Sequence, residues 1–308
     1  MNKIKALIHP LETIASIVNS QSVKTNSLIR QALFEQRSLQ LTEQSLHSTE
    51  NGVSSESICG EEIIVSLTSH GKRINDVYLA IESIMQGSIK PNHIILWLSE
   101  EEINGEKLPI SLQKQQLRGL EIEFCKDLRS YTKLIYTLQK HPNAIIITID
   151  DDALYNFDFV ENLVTAHNTD STCIWANRIH EMTYNNNGTL KSYLQWNWAI
   201  DKDSIIKTNN FFTGIGGVLY PPHTLHEEVF KENIFMDICP TADDVWFNAM
   251  AKLKGTEIRK SFTHSPNGED FLINTNLQTN CLWSINTAPK NCQNDIQIQA
   301  VFQKYGIK

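Results

Sequence analysis

The chain has no CxxC pair, no run of 18 apolar residues and no GxGxxG turn after its first strand-like segment. Each absence excludes something. The six cysteines, at 59, 125, 173, 239, 281 and 292, are too scattered for a cysteine metal site. Contexts such as "EIEFC" and "TCIWA" predict reduced, buried thiols in a cytoplasmic protein. Without a long apolar run, no helix is expected to span a bilayer. The opening "MNKIKALIHPLETIASIVNS" lacks an unbroken apolar core and a small-residue cleavage site, so a secretory signal is not expected. Positive charge is also scarce: 27 Lys and Arg against 35 Asp and Glu give a net charge of -8, which leaves no basic footprint for nucleic acid. The first turn reads "LTSHGKR", so a dinucleotide fold of the usual kind is not expected.

What is present is 308 residues, 41% hydrophobic, enough for one large domain or two small ones. Composition changes near residue 60. Residues 1–58 are rich in Ser, Gln, Asn, Thr and Glu and hold no strand-like run. Ile4, Leu7, Leu11, Ile14 and Val18 follow 3-4-3-4 spacing that Pro10 is expected to interrupt. "NSLIRQALFEQRSLQL" reads as a second amphipathic helix and "HSTENGVSSES" as a linker. The expected division is a helical and linker segment over 1–58 and an α/β domain over 59–308. The segment would pack on the domain or on a neighbouring subunit; a helix lying on a membrane surface is the alternative.

From residue 62 the rhythm is strand, helix, strand. "EIIVSLTS", "HIILWLS", "EIEFC" and "AIIIT" read as strands, and "NDVYLAIESIMQG", "SLQKQQLRG" and "SYTKLIYTLQKHP" as the intervening helices. Four strands alternating with helices predict a parallel, Rossmann-like sheet with right-handed crossovers. The fourth strand is β-branched and shows no period-2 alternation, as expected for a strand covered on both faces. It runs straight into Asp150, Asp151 and Asp152. Three like charges at a strand end need a positive partner, and the crevice beyond the carboxyl ends of such strands is where ligands bind. On an extended chain Asp150 and Asp152 point the same way and Asp151 the other. Such a pair can hold Mg²⁺ or Mn²⁺ through oxygen, with positions left open for substrate phosphates. A calcium loop of EF-hand type fails because Leu154 replaces an oxygen ligand and the glycine is missing. A phosphatase of the haloacid dehalogenase type would carry its DxD on an earlier strand. Lys133, starting the preceding helix, can reach a phosphate or ribose. Gly214, Gly216 and Gly217 in "FFTGIGGVLYPP" mark a sharp turn or a close approach to ligand. Trp196 and Trp198 fall on one side of a strand-like "YLQWNWAI", where aromatic faces suit sugar rings. "TADDVWFNAMAKLKG" is an amphipathic helix that Thr241 or Asp243 can cap.

Taken together, "IIVSLTSHGKR…IITIDDDALY…TGIGGVLYPP…TADDVWFNAMAKLKG" resembles bacterial glycosyltransferases of the GT-A fold, family 2-like, of the kind encoded with surface-polysaccharide genes. The likeness covers roughly residues 62–308. It implies sugar transfer from a nucleotide-diphosphate sugar, a UDP-sugar first among the donors, to a glycan or lipid-linked glycan. It implies Mn²⁺ or Mg²⁺ between the diphosphate and the DxD, with Asp152 on the metal, Asp150 nearer the ribose while still a metal-ligand candidate, and Asp151 between them. By position Asp244 matches the family's base, next to Asp243, and direct displacement with inversion follows. Thr68 and Arg73 fall where the family receives the nucleoside, with Asp127 a further candidate. Arg178, Gly216, Gly217 and Trp196 fall on the acceptor and sugar side, and His264 matches the late histidine that completes the metal shell in many members. The alternatives are a metal-dependent phosphate-ester or nucleotide-sugar hydrolase and a non-catalytic sugar-nucleotide-binding subunit. Oligomerisation or peripheral membrane contact, at the inner face, would run through the N-terminal segment.

Overall fold

The runs of apolar β-branched residues form one seven-stranded sheet. The structure is a computed structural model that describes residues 2–58, 60–103, 107–200, 209–265, 268–274, 286–288 and 291–307. Its strands are β1 Ile63–Thr68, β2 His93–Ser99, β3 Leu120–Cys125, β4 Ile145–Thr148, β5 Ala153–Tyr155, β6 Ile174–Ala176, β7 Ile179–Glu181, β8 Asn210–Phe212, β9 Val218–Tyr220, β10 Ile258–Lys260 and β11 Phe271–Ile273. The helices are α1 Asn2–His47, α2 Tyr78–Met85, α3 Glu100–Ile103, α4 Ile110–Gln116, α5 Thr132–Lys140, α6 Phe159–Thr169, α7 Glu232–Ile238, α8 Asp243–Lys254 and α9 Gln293–Tyr305. The sheet order is β10-β6-β9-β4-β1-β2-β3, and all pairs are parallel except those made by β9. This is the α/β, Rossmann-like sheet flanked by helices that the rhythm predicts.

The missing alternation in β4 has a direct cause. Ile145 and Ile147 enter one apolar cluster with α2, α4 and α6, while Ile146 enters another with α5, α8 and α9. Both faces are buried, so every position wants an apolar side chain. The chain winds outward from β1 through β2 to β3, then returns to lay β4 on the other side of β1. The strand order therefore reverses between β1 and β4, and their carboxyl ends open one crevice.

The N-terminal segment differs from expectation in its helix count. One helix, α1, replaces two, and it runs without a break through Pro10; a proline removes one ladder bond and strains the turn before it, and a helix of 46 residues keeps the rest of its ladder. The half of α1 nearest the sheet belongs to the fold. Phe34 and Leu41 are buried against Leu79, Leu154 and Leu272, and Arg30 donates to the Phe271 carbonyl at 2.9 Å. The segment after it is pinned too: Gly52 N–H donates to the Arg118 carbonyl, and Arg118 Nε to the Glu50 carbonyl at 2.7 Å. Arg118 meanwhile makes two bonds to Glu82, at 3.0 and 2.8 Å, with both side chains almost fully buried. Arg118→Met should therefore cost about 3–5 kcal/mol, because it strands an uncompensated buried carboxylate. A urea unfolding free energy lowered by less than 1 kcal/mol, with the m-value unchanged, would show that Gln86 and Gln115 can satisfy Glu82 alone.

Cys125, Cys173, Cys239 and Cys292 are free and buried, as their contexts predict; Cys59 and Cys281 lie outside the described residues. Burial pushes the Cys239 thiol up to about 12. Among the described residues no helix is long and apolar enough to cross a membrane.

Candidate active site

The crevice between β1 and β4 gathers the acidic motif and its counter-charges. The strand ends at Thr148, and Asp151 and Asp152 already lie in the turn that leads to β5. The pleat rule therefore stops before the aspartates and does not sort them. Instead Asp151 and Asp152 share Arg73, whose Nη1 lies 2.9 Å from Asp151 Oδ1 and 3.3 Å from Asp152 Oδ2. Asp150 has a partner of its own: its Oδ1 accepts from Lys133 Nζ at 2.6 Å. Ser69 donates to Asp151 Oδ2 at 2.6 Å. The cations that the three charges demand include two of the protein's own, one from beyond β1 and one from α5.

Lys133 also reaches Asp243 Oδ2 at 3.4 Å, which ties the DxD turn to the start of α8. Burial works against its charge, yet Asp150, Asp243 and Asp244 hold its pKa well above the ordinary lysine value. Asp244 Oδ1 accepts from Gly214 N–H at 3.0 Å. Gly214 is the meeting point: a Cβ there would come 3.1 Å from Asp244 Oδ1, 3.4 Å from Lys133 Nζ and 3.8 Å from Asp150 Oδ1. Gly216 lies against Arg178, where a Cβ would come within 2.6 Å of the Arg178 Cβ. Gly217 has φ +86°, and a Cβ on it would strike the Phe159 ring at 2.4 Å. The glycines thus allow a close approach and an abrupt turn into β9.

Five carboxylates and two cations leave a formal excess of negative charge, and the titration of the group reflects it. Burial first, then Asp150 and Asp151, push Asp152 up to about 6 against the opposing pull of Arg73. Burial and the neighbouring Asp243 push Asp244 up to about 8, with Lys133 opposing. Both groups hold protons more tightly folded than unfolded, where 3.8 applies. Between pH 4 and 8 these two groups thus bind more protons in the native state, and their contribution to stability falls as pH rises through that window. The thermal midpoint of the ligand-free protein should decline from pH 6 to pH 8 at constant ionic strength. Asp244→Asn should flatten that decline; the same slope in both proteins contradicts the assignment.

Other expected residues have different surroundings from those the sequence suggests. The N-cap of α8 is Ala242, and neither Thr241 nor Asp243 caps it. Thr241 is occupied instead by Asn286 and Gln297, at 2.8 and 2.9 Å. Trp196 is not on a strand: it follows a short 3-10 turn, is 5% exposed, packs on Tyr193 and Phe211, and donates to the Lys191 carbonyl. That makes it core, out of reach of a sugar ring. His264 pairs with Asp158 rather than with any of the three aspartates, and that hydrogen bond raises its pKa, which favours the protonated ring over a metal ligand. Asp127 lies past β3 as expected and accepts from Arg129 N–H at 2.6 Å. Thr68, at the end of β1, donates to the Trp97 carbonyl at 3.0 Å.

Two residues that sequence reasoning passed over complete the site. Tyr155 OH accepts from Asp150 N–H at 2.9 Å and donates to the Ile215 carbonyl at 3.2 Å, fixing the DxD turn to the glycine segment. Asn248 exchanges two bonds with the backbone of Phe212 and donates to the Asp244 carbonyl, locking α8 to β8. A short apolar run from Ala153 to Tyr155 was the only sequence signal for the first, and a polar residue on the buried face of α8 for the second.

Among the described residues no three His, Cys, Asp or Glu side chains gather closely enough to hold an ion by themselves. Asp150 Oδ2 and Asp152 Oδ1 take part in neither ion pair, and hard oxygens of this kind suit Mg²⁺ or Mn²⁺, which use one or two carboxylates together with substrate phosphates and water. The donor set therefore fits such an ion. Two surface cavities, of about 500 and 510 Å³, lie elsewhere, one around Glu62 and His93 and one between α1 and β5 around Leu33 and Phe157.

No protein-family model matches the chain, and no curated protein does. Similar solved structures include CMP:2-keto-3-deoxy-manno-octonic acid synthetase complexed with CTP, at 11% identity and TM-score 0.37 over 65% of this chain and 89% of that one. A mannosyltransferase from Pyrobaculum calidifontis, in complex with GDP-Man and Mn²⁺, overlaps at 10% identity and TM-score 0.30 over 48% of this chain and 43% of its own. S. aureus TarS 1-349 in complex with UDP overlaps at 8% and 0.43 over 66% and 58%. The chain thus spans about half the length of those last two. Overlap this partial leaves the chemistry to the geometry of the site.

Proposed function

We propose that the protein is a metal-dependent glycosyltransferase that takes a sugar from a nucleotide-diphosphate donor, a UDP-sugar foremost, and passes it to a glycan or lipid-linked glycan with inversion. The observation that supports this most is the unbalanced negative charge of Asp150, Asp151, Asp152, Asp243 and Asp244 at a topological switch point. Asp152 and Asp150 would hold Mn²⁺ or Mg²⁺, whose charge would stabilise the departing nucleoside diphosphate. Arg73 orients Asp151 and Asp152, and its side chain, 36% exposed, can turn its guanidinium to a phosphate. Lys133 holds Asp150 and Asp243 in place from beneath. Thr68 and Asp127 border the nucleoside side of the crevice. Asp244 takes the proton from the attacking hydroxyl, and its raised pKa matches a base that works near neutral pH. A role in surface-polysaccharide assembly and cytoplasmic residence belong to the same proposal.

A panel of nucleotide sugars with Mn²⁺ tests the reading. A donor at about 100 times its dissociation constant should add roughly 2.7 kcal/mol of stability. Product must then appear only when an acceptor is supplied. Release of free sugar at the same rate without acceptor would instead favour a hydrolase, and binding without turnover a non-catalytic subunit.

A further inference from the structure

Arg178 follows β6 and begins β7's approach to the site, and its surroundings are unusual for an arginine. Its backbone is clamped between two glycines: a Cβ on Gly216 would come 2.6 Å from the Arg178 Cβ, and one on Gly268 3.1 Å from its Cα. The side chain is 16% exposed, so it is positioned rather than free to sweep the surface. Nη1 donates to Thr213 Oγ1 at 3.1 Å, while Nε is buried without a hydrogen-bond partner and stands 4.0 Å from Glu269 Oε1.

The second group is His180, buried to 1% exposure and stacked on Trp198 at 5.0 Å. Its Nδ1 accepts from Ala199 N–H at 2.9 Å. Ala199 reaches that position with φ +47°, a strained conformation for an alanine. A neutral ring whose Nδ1 accepts carries its proton on Nε2. Burial first, then Arg178, hold its pKa down at about 3, which keeps the ring neutral. Nε2 lies 3.5 Å from Arg178 Nη1, and an arginine has nothing with which to accept. Two donors therefore face each other beside a third, unused one. Such an arrangement is completed by an acceptor with several lone pairs and a negative charge. Thr213, which holds the guanidinium, precedes Gly214, whose N–H binds Asp244.

We propose that Arg178 and His180 form an oxyanion subsite next to the base, so that the acceptor delivered to Asp244 bears a carboxylate or a phosphate monoester. This rests on the reading of the cleft as a glycosyltransferase site with Asp244 on its acceptor side. The subsite recognises the acid group and leaves the nucleophilic hydroxyl for Asp244.

The test uses the full chain in metal-free buffer at matched ionic strength. Methyl glucuronide supplies the carboxylate, glucose 6-phosphate the phosphate, and methyl glucoside the neutral control. One or both acid sugars should raise the thermal midpoint saturably, and the glucoside should not; the arm that responds names the acid. Arg178→Gln should weaken the response at least about tenfold, as loss of a charged hydrogen-bond donor does, and Arg178→Lys, which keeps charge and bulk, should weaken it less. Asp152→Ala should keep it. Three results overturn the proposal: acid sugars no better than the glucoside on wild type, an undiminished response in both Arg178 variants, or loss of the response in Asp152→Ala, which would place the anion at the donor end. Failure of every nucleotide sugar to bind, with the Arg178-dependent response intact, would sink the transferase reading and leave the subsite standing.

Discussion

Asp244→Asn is expected to slow sugar transfer by about 10²–10⁴-fold, the usual contribution of a positioned acid–base group. Donor and Mn²⁺ affinities should stay close to wild type, because Asn keeps the oxygen that accepts from Gly214 N–H. Two opposed effects decide whether this carboxylate can serve. The helix N-terminus lowers its basicity, while burial and Asp243 raise it, and the second pair wins, leaving it at about 8. Asp243 sits 3.4 Å from Lys133, a partner that spends its charge locally, so it is the poorer base. Single-turnover rates with saturating donor make the measurement. If Asp243→Asn stops transfer and Asp244→Asn does not, the roles are exchanged; if both variants turn over normally, the base lies elsewhere and inversion loses its support.

Asp152→Ala should reduce turnover to background and weaken nucleotide-sugar binding chiefly when Mn²⁺ is present. Its carboxylate is already strained by two like neighbours and by burial, which keeps it at about 6. A divalent ion relieves that repulsion more than Arg73 alone can, and bound phosphate is then attracted to the same place. Calorimetric titration of UDP into both proteins, with and without Mn²⁺, reads the difference. The contrary outcome is specific: wild type that binds and turns over equally well after thorough chelation would mean that Arg73 and Lys133 neutralise the leaving group without a metal.

The sheet and its switch point were legible because they are local in sequence. Period, strand length and the Asp150–Asp152 run fall within windows of ten or so residues. The counter-charges were not legible in the same way. Arg73 meets Asp151 across 78 residues and Lys133 meets Asp150 from a different element; only the crossover that returns β4 beside β1 brings them together. The failed readings share a cause. Thr241 could cap α8 by spacing, yet Asn286 and Gln297 compete for its hydroxyl and win. Trp196 has the chemistry of a sugar platform, but Tyr193 and Phe211 bury it. In each case a distant residue overrode a local preference.

The antiparallel β9 has a consequence for how the chain is made. On the ribosome, β1 to β4 can assemble as soon as they emerge, but β4 then presents Ile146 and its neighbours along an unpaired edge. Its partner begins at Val218, 70 residues beyond Thr148, so at roughly 5–20 residues per second the edge stays open for roughly 4–14 s. An apolar, β-branched edge of that kind invites pairing with another nascent chain. The central position of a late strand thus makes the aggregation risk of this protein a matter of translation speed, with the interval between Thr148 and Val218 the time in which a chaperone is needed.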